Sequence, residues 1–189
     1  NNFREELTRV TGTWKTESNL LILHYDTIVF NLEIIELTKK LLILKYNDNI
    51  GIENIYYFKK EKLQLYEASE ELTENEEKML GKWEFQKMSY VNFNNSARHY
   101  LKIQKQIKEE KIVFWEEKIT ETEIEKNLEF YRQNINELED KLDNLTIKSV
   151  KKTLNESLEE NNNSKYIISF NEDRTYTNSS HDKTGHWYM

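Results

Sequence analysis

Gly12-Thr13-Trp14 recurs as Gly81-Lys82-Trp83 and again as Gly185-His186-Trp187. The three triplets use three of the four glycines and three of the four tryptophans in a chain of 189 residues, so the coincidence of the two residue types is not a matter of composition. Glycine permits a tight bend or a close backbone approach where a strand enters a barrel. A tryptophan two residues later points to the same face of the strand and is large enough to plug the barrel's end.

Strand signals continue outward from the first triplet. Residues 13–17, 20–25, 28–36, 41–46, 55–59 and 62–66 read as consecutive strands, with Ile28, Phe30, Leu32 and Ile34 sharing one face at period two. The gaps between them are too short for crossover helices, so antiparallel hairpins are expected. Residues 67–80 turn acidic, and Thr73 with Glu76 fits a capping box opening a short helix that holds Met79 and Leu80. Gly81-Lys82-Trp83 then starts a strand running through Phe85, as far as Phe93 at most.

Residues 97–160 change period. Ile124, Leu128, Tyr131, Ile135, Leu138, Leu142 and Leu145 alternate spacings of four and three, which sets an apolar seam on one helix. Thr120-Glu121-Thr122-Glu123 reads as its cap, and Val150, Leu154 and Leu158 continue the helical pattern. Tyr100, Ile103 and Ile107 allow a partner helix, whereas 112–115 suits a strand or a buried helical turn. A helical hairpin is expected, ended by Asn161-Asn162-Asn163-Ser164. Residues 166–170 and 175–177 then form a β-hairpin about a turn at 171–174.

The formal net charge is −7 and no dense Arg/Lys block interrupts it, so nucleic acid is not an expected partner. The absence of cysteine excludes disulfides, thiolate zinc sites and thiol catalysis. The longest apolar runs, at 20–23 and 41–44, have the length of strands rather than of a membrane span. Aromatic residues make up 12% of the chain, which suits a β-rich core or a cavity lining.

With these motifs the chain resembles the small lipocalin-like domains of Bacteroidetes-type envelope proteins. Such domains open with Leu-x-Gly-x-Trp behind a short helix, then carry a Phe-x-x-Asp-x-Thr-Tyr hairpin, a second Gly-x-Trp and later Leu-rich strands. Here Met79-Leu80-Gly81-Lys82-Trp83 stands as the opening. Phe170-Asn171-Glu172-Asp173-Arg174-Thr175-Tyr176 stands as the hairpin, with Arg174 where the family has Gly. Gly12-Thr13-Trp14, Leu21-Ile22-Leu23 and residues 34–44 match the later half. The resemblance implies an α+β fold of antiparallel, meandering lipocalin-like barrel strands with a long helical-hairpin insertion. Residues 1–70 match the second half of a domain, 71–96 start a second sheet, 97–160 are the insertion and 161–189 return to that sheet. Either these are two incomplete tandem domains, the preferred arrangement, or the amino-terminal strands complete the sheet begun at the carboxyl end.

Trp14, Trp83, Trp187, Tyr25 and Phe30 are the candidates to line a lumen, although such tryptophans more often fill a barrel's bottom. Ile124, Leu128, Tyr131, Ile135, Leu138 and Leu142 are the candidates to contact another protein, with packing inside the insertion as the competing use. His181, Asp182 and His186 have metal-ligand chemistry, but lack a third strong ligand and read as a polar loop. Carboxylates are spread over solvated helix faces, and no phosphate loop or nucleophile elbow occurs, so neither an enzyme, a metal nor a cofactor is expected. The resemblance points instead to a non-enzymatic envelope protein, in the periplasm, at the outer membrane or secreted, that works through protein contacts. A carrier or sensor of a small hydrophobic ligand is the alternative. An acylated cysteine ahead of Asn1 would add a lipid anchor.

Overall fold

A computed structural model describes residues 8–61 and 72–180. Eight strands close into one antiparallel barrel in chain order: β1 (Thr8–Glu17), β2 (Leu20–Tyr25), β3 (Ile28–Leu37), β4 (Leu41–Asn47), β5 (Glu53–Lys60), β6 (Gly81–Tyr90), β7 (Tyr166–Phe170) and β8 (Thr175–Ser180). A short helix, α1 (Glu74–Met79), precedes β6, and three helices separate β6 from β7: α2 (Phe93–Glu121), α3 (Glu125–Asp143) and α4 (Ile147–Asn163). The division into two partial sheets does not hold. β5 pairs with β6 across the α1 segment, and β8 returns to pair with β1, so both halves of the strand pattern belong to the same sheet. The strand expected at 62–66 and the third Gly-x-Trp triplet lie outside the described residues.

Alternation decides which residues fill the barrel. Leu21 and Leu23 of β2, Leu42 and Leu44 of β4, Tyr56 and Phe58 of β5, Trp83 and Phe85 of β6, and Tyr166, Ile168 and Phe170 of β7 are buried. Two bulges reset that alternation. Ile35 is the extra residue where β3 meets β4 and is half exposed, while Gln86 is the extra residue where β6 meets β5. The second bulge lets the buried series on β6 pass from Phe85 to Met88.

Turns are made without proline. Ser18, Asp26 and Arg174 take positive φ at the β1–β2, β2–β3 and β7–β8 hairpins. Arg174, at φ 59°, occupies the left-handed position that glycine would favour, and its guanidinium donates to the Glu76 carboxylate at 3.2 Å. Gly12 meets a different demand. A Cβ there would fall 2.1 Å from the His24 carbonyl oxygen and 2.6 Å from the Tyr176 ring.

α1 joins the barrel end where the β1–β2 and β7–β8 turns lie. Its capping box is complete, with Thr73 Oγ1 accepting from the Glu76 N–H at 3.3 Å and Glu76 Oε2 accepting from the Thr73 N–H at 2.9 Å. Asn75 donates to the Ser18 carbonyl at 3.3 Å, and Lys60 donates to the Lys78 carbonyl at 2.9 Å while lying over the Trp83 ring. Met79 and Leu80 are thereby delivered into the core.

The second compact unit comprises residues 50–52 and 92–157. Asn92 caps α2 by accepting from the Asn95 N–H at 3.1 Å, which ends the β6 strand short of Phe93. Residues 112–115 are helical. The insertion holds three helices rather than two arms, broken between Glu121 and Glu125 and again between Asp143 and Ile147. Thr120 does not cap the seam helix, because its hydroxyl donates back to the Glu117 carbonyl and continues α2; the N-cap of α3 is Ile124, which offers no side-chain bond. Thr146 and Ser149 open α4 reciprocally, each side chain accepting from the other's backbone N–H.

Gly12→Ala is expected to destabilise the protein by at least about 2 kcal/mol in urea unfolding, because the clash is with a backbone carbonyl and a buried ring. Glu76 yields a pH signature. Burial pushes its carboxyl up from the ordinary 4.5, but the hydrogen bonds from Thr73 and the charge of Arg174 more than offset this and hold it low. A carboxyl held low stabilises the fold above its unfolded value, and that contribution disappears as pH falls through the folded value. Glu76→Gln should therefore cost about 1–3 kcal/mol at neutral pH and flatten the loss of stability below pH 4.5.

Candidate functional site

The barrel has two unlike ends. At the α1 end, Trp14 and Trp83 are 2% and 0% exposed, with Phe170, Met79 and Leu80 packed in the same core. Trp83 Nε1 donates to the Met79 carbonyl at 2.6 Å, Trp14 Nε1 donates to the Asn171 carbonyl at 3.3 Å, and Trp14 meets Phe170 edge-on at 5.2 Å. Both indoles satisfy their single donor and fill volume, so this end is a floor. Phe85 stacks on Tyr166 at 4.1 Å, and Phe58 contacts both rings, which carries solid packing toward the middle.

The opposite end is built from tyrosines. Tyr46 and Tyr90 are half-buried, and Phe30 contacts Tyr46 edge-on at 6.2 Å. Tyr56 and Tyr166 lie deeper, and burial pushes both phenols well above the ordinary value of 10. Asn54 and Asn178 are buried on the same interior face, and Asn178 Oδ1 has no hydrogen-bond partner among the described residues. An acceptor enclosed in this way gives up hydration without recompense unless something donates to it.

The second location is the α2–α3 hairpin. Trp115 stacks on Tyr131 at 5.4 Å and meets Phe114 at 4.9 Å and Phe130 at 5.9 Å. The seam on α3 is therefore turned toward α2, with Tyr131 on Trp115 and Leu138 sharing a cleft with Phe114 and Trp115. Phe114 and Phe130, one position away from the inward rings, remain 48% and 54% exposed. The cleft beside them, of about 370 Å³, is lined also by Lys111, Asn134 and Lys141. A larger open cleft of about 610 Å³ shares Glu137 and Lys141 with it and extends to Tyr100, Leu145 and Val150.

The sequence candidates distribute over these places. Trp14 and Trp83 sit in the floor, Phe30 is half-buried near the tyrosine end, Tyr25 is exposed at the end of β2, and Trp187, His181, Asp182 and His186 lie outside the described residues. On the insertion, Leu128, Tyr131, Ile135, Leu138 and Leu142 are half-buried, while Ile124 is 61% exposed at the helix start. The exposed rings Phe114 and Phe130 were not among the candidates. The available signals were the seven-residue spacing of Ile107 and Phe114 and the position of Phe130 directly beside the seam. Comparison with protein-family models, curated proteins and solved structures finds no match to the chain.

Asn178→Leu discriminates between an idle and an occupied acceptor. With the oxygen unpaired, the substitution should leave the melting temperature unchanged or raise it by a few degrees, since removal of an unsatisfied buried group is neutral to stabilising. A fall of several degrees by calorimetry would mean that the carboxamide has a bound partner.

Proposed function

We propose that this protein is a non-enzymatic interaction protein in which a lipocalin-like barrel is the scaffold and the helical insertion makes the protein contacts. The observation that carries this reading is the pair of half-exposed rings, Phe114 and Phe130, that flank Trp115. Large apolar side chains held outward by a stacked aromatic base are the usual anchors of protein interfaces. The barrel supports the scaffold role because its floor and middle are packed with side chains.

A lipocalin-like assignment is supported by eight antiparallel strands closing in chain order. It is supported also by Gly12, whose close approach gives the first triplet a steric reason. Read from α1 onward, the helix, the Gly81-Lys82-Trp83 strand, the 170–176 hairpin and then the amino-terminal strands follow the family's order around one barrel. The envelope location rests on that resemblance.

Asn178 and the tyrosine end favour a second reading, a carrier that holds a small, largely apolar ligand offering one donor. The two readings part in native mass spectrometry of protein taken from its source. A retained protein partner that is lost in Phe114→Ser/Phe130→Ser, with the melting temperature unchanged within a degree or two, is the expected result. A partner retained equally by the double variant overturns the docking role, and a retained small molecule transfers the function to the barrel.

A further inference from the structure

The aromatic end of the hairpin has an electrostatic character as well as an apolar one. Between residues 111 and 132, the six carboxylates of Glu116, Glu117, Glu121, Glu123, Glu125 and Glu129 outnumber the four cations Lys111, Lys118, Lys126 and Arg132, and Lys111 lies in the cleft rather than at the hairpin end. Lys118 is already engaged, paired with Glu121 at 2.6 Å and lying over the Phe114 ring. Half-exposed rings among surplus negative charges disfavour an anionic lipid surface, and they disfavour the same patch of a second copy approaching face to face. They match an apolar surface flanked by cations.

The shape of the site narrows the occupant further. Trp115 faces Tyr131, and Gln104 shares a cleft with Lys141 and Asn144, so residue numbers fall along α2 as they rise along α3 and the two helices lie antiparallel. Two clefts share Glu137 and Lys141; the smaller lies between α2 and α3, and the larger is closed on a third side by Ser149, Val150 and Thr153 of α4. The groove is walled by side chains and offers no free backbone edge. In the barrel, every described strand already has a neighbour on each side. Strand addition is thus poorly served, whereas a helix laid between two helices needs only apolar anchors at helical spacing. The 19 residues of α3 span about 28 Å, roughly five helical turns, which sets the longest helix that could lie along this pair.

We infer that the α2–α3 groove receives an amphipathic helix of another protein. Large apolar side chains of that helix rest on Phe114, Trp115 and Phe130, and Lys or Arg on its flanks face the Glu carboxylates at the hairpin end. This rests on the docking reading and adds the chemical class of the partner.

Two synthetic helices of about five turns test it, with identical Leu/Phe faces and either Lys or Glu on the flanks, titrated against the full chain by fluorescence anisotropy. The Lys peptide should bind roughly ten-fold or more tightly than the Glu peptide, an advantage that shrinks as salt is raised to about 0.5 M. Phe114→Ser/Phe130→Ser should weaken the Lys peptide by at least about ten-fold, and Glu121→Lys/Glu123→Lys should erase or reverse the preference. Equal binding of the two peptides, or binding indifferent to the ring substitutions, overturns the inference. So does self-association in sedimentation that the ring substitutions abolish, or ring-dependent binding to phosphatidylcholine vesicles. If the ring substitutions release a native partner while neither peptide binds, the docking role stands and the helical partner is wrong. If they release none, both fall.

Discussion

At Gly12 the first strand changes partners. β1 pairs with β8 from Thr8 to Thr13 and with β2 from Thr13 to Glu17, and at this handover the chain passes so close to the His24 carbonyl and the Tyr176 ring that no side chain fits. Closure of the barrel depends on that crossing. It gives β8 its second neighbour beside β7, sets Trp14 two residues further on against Phe170, and joins strands more than 160 residues apart in the chain into one sheet. A sheet closed in this way exposes no long strand edge for unintended pairing.

The floor and the opposite end then divide the barrel's chemistry. α1 delivers Met79, Leu80 and the carbonyl that receives the Trp83 indole, and its own start is tied down by the Thr73–Glu76 box and by Arg174. These bonds explain how an arginine is kept in a left-handed turn position: the strain of one residue is offset by an ion pair to a carboxylate whose side chain is 3% exposed. Polar interior groups gather away from this floor, where Tyr56, Tyr166, Asn54 and Asn178 replace leucine and tryptophan. A packed floor beneath a more polar interior is compatible with both a rigid support and a small binding position.

The insertion leaves β6 after Tyr90 and returns at Tyr166 on β7, the strand paired with the first half of β6. Closure entropy grows only slowly with the length of the inserted segment, so 75 residues enter between neighbouring strands without disturbing the strand order. Met88, beyond the reach of β7, has its N–H bonded to the Asn162 side chain at 2.5 Å instead of to a ladder partner. Within the insertion, the heptad seam is consumed by α2, and the rings beside it are left for other contacts.

Local regularities were legible in the residues. The period-two runs located β2 to β5, Thr73 and Glu76 announced α1, and the alternation of fours and threes placed α3 nearly in full. Each of these depends on neighbours within one turn or one strand. The pairing of β1 with β8 and of β5 with β6 was not legible, because register between distant strands is settled by which faces bury together, and both arrangements of the same strands satisfy local pattern equally. The place where the insertion breaks was not legible either, because a side chain such as Thr120 can cap the next helix or bond back to its own, and here its hydroxyl donates to the Glu117 carbonyl. The exposure of Phe114 and Phe130 was also decided in three dimensions: once Trp115 stacks on Tyr131, the adjacent position on each helix must point away from the seam. The sequence by itself determined the elements and the glycine at the crossing; only the tertiary structure decided that they close into one barrel and which aromatic rings are left facing outward.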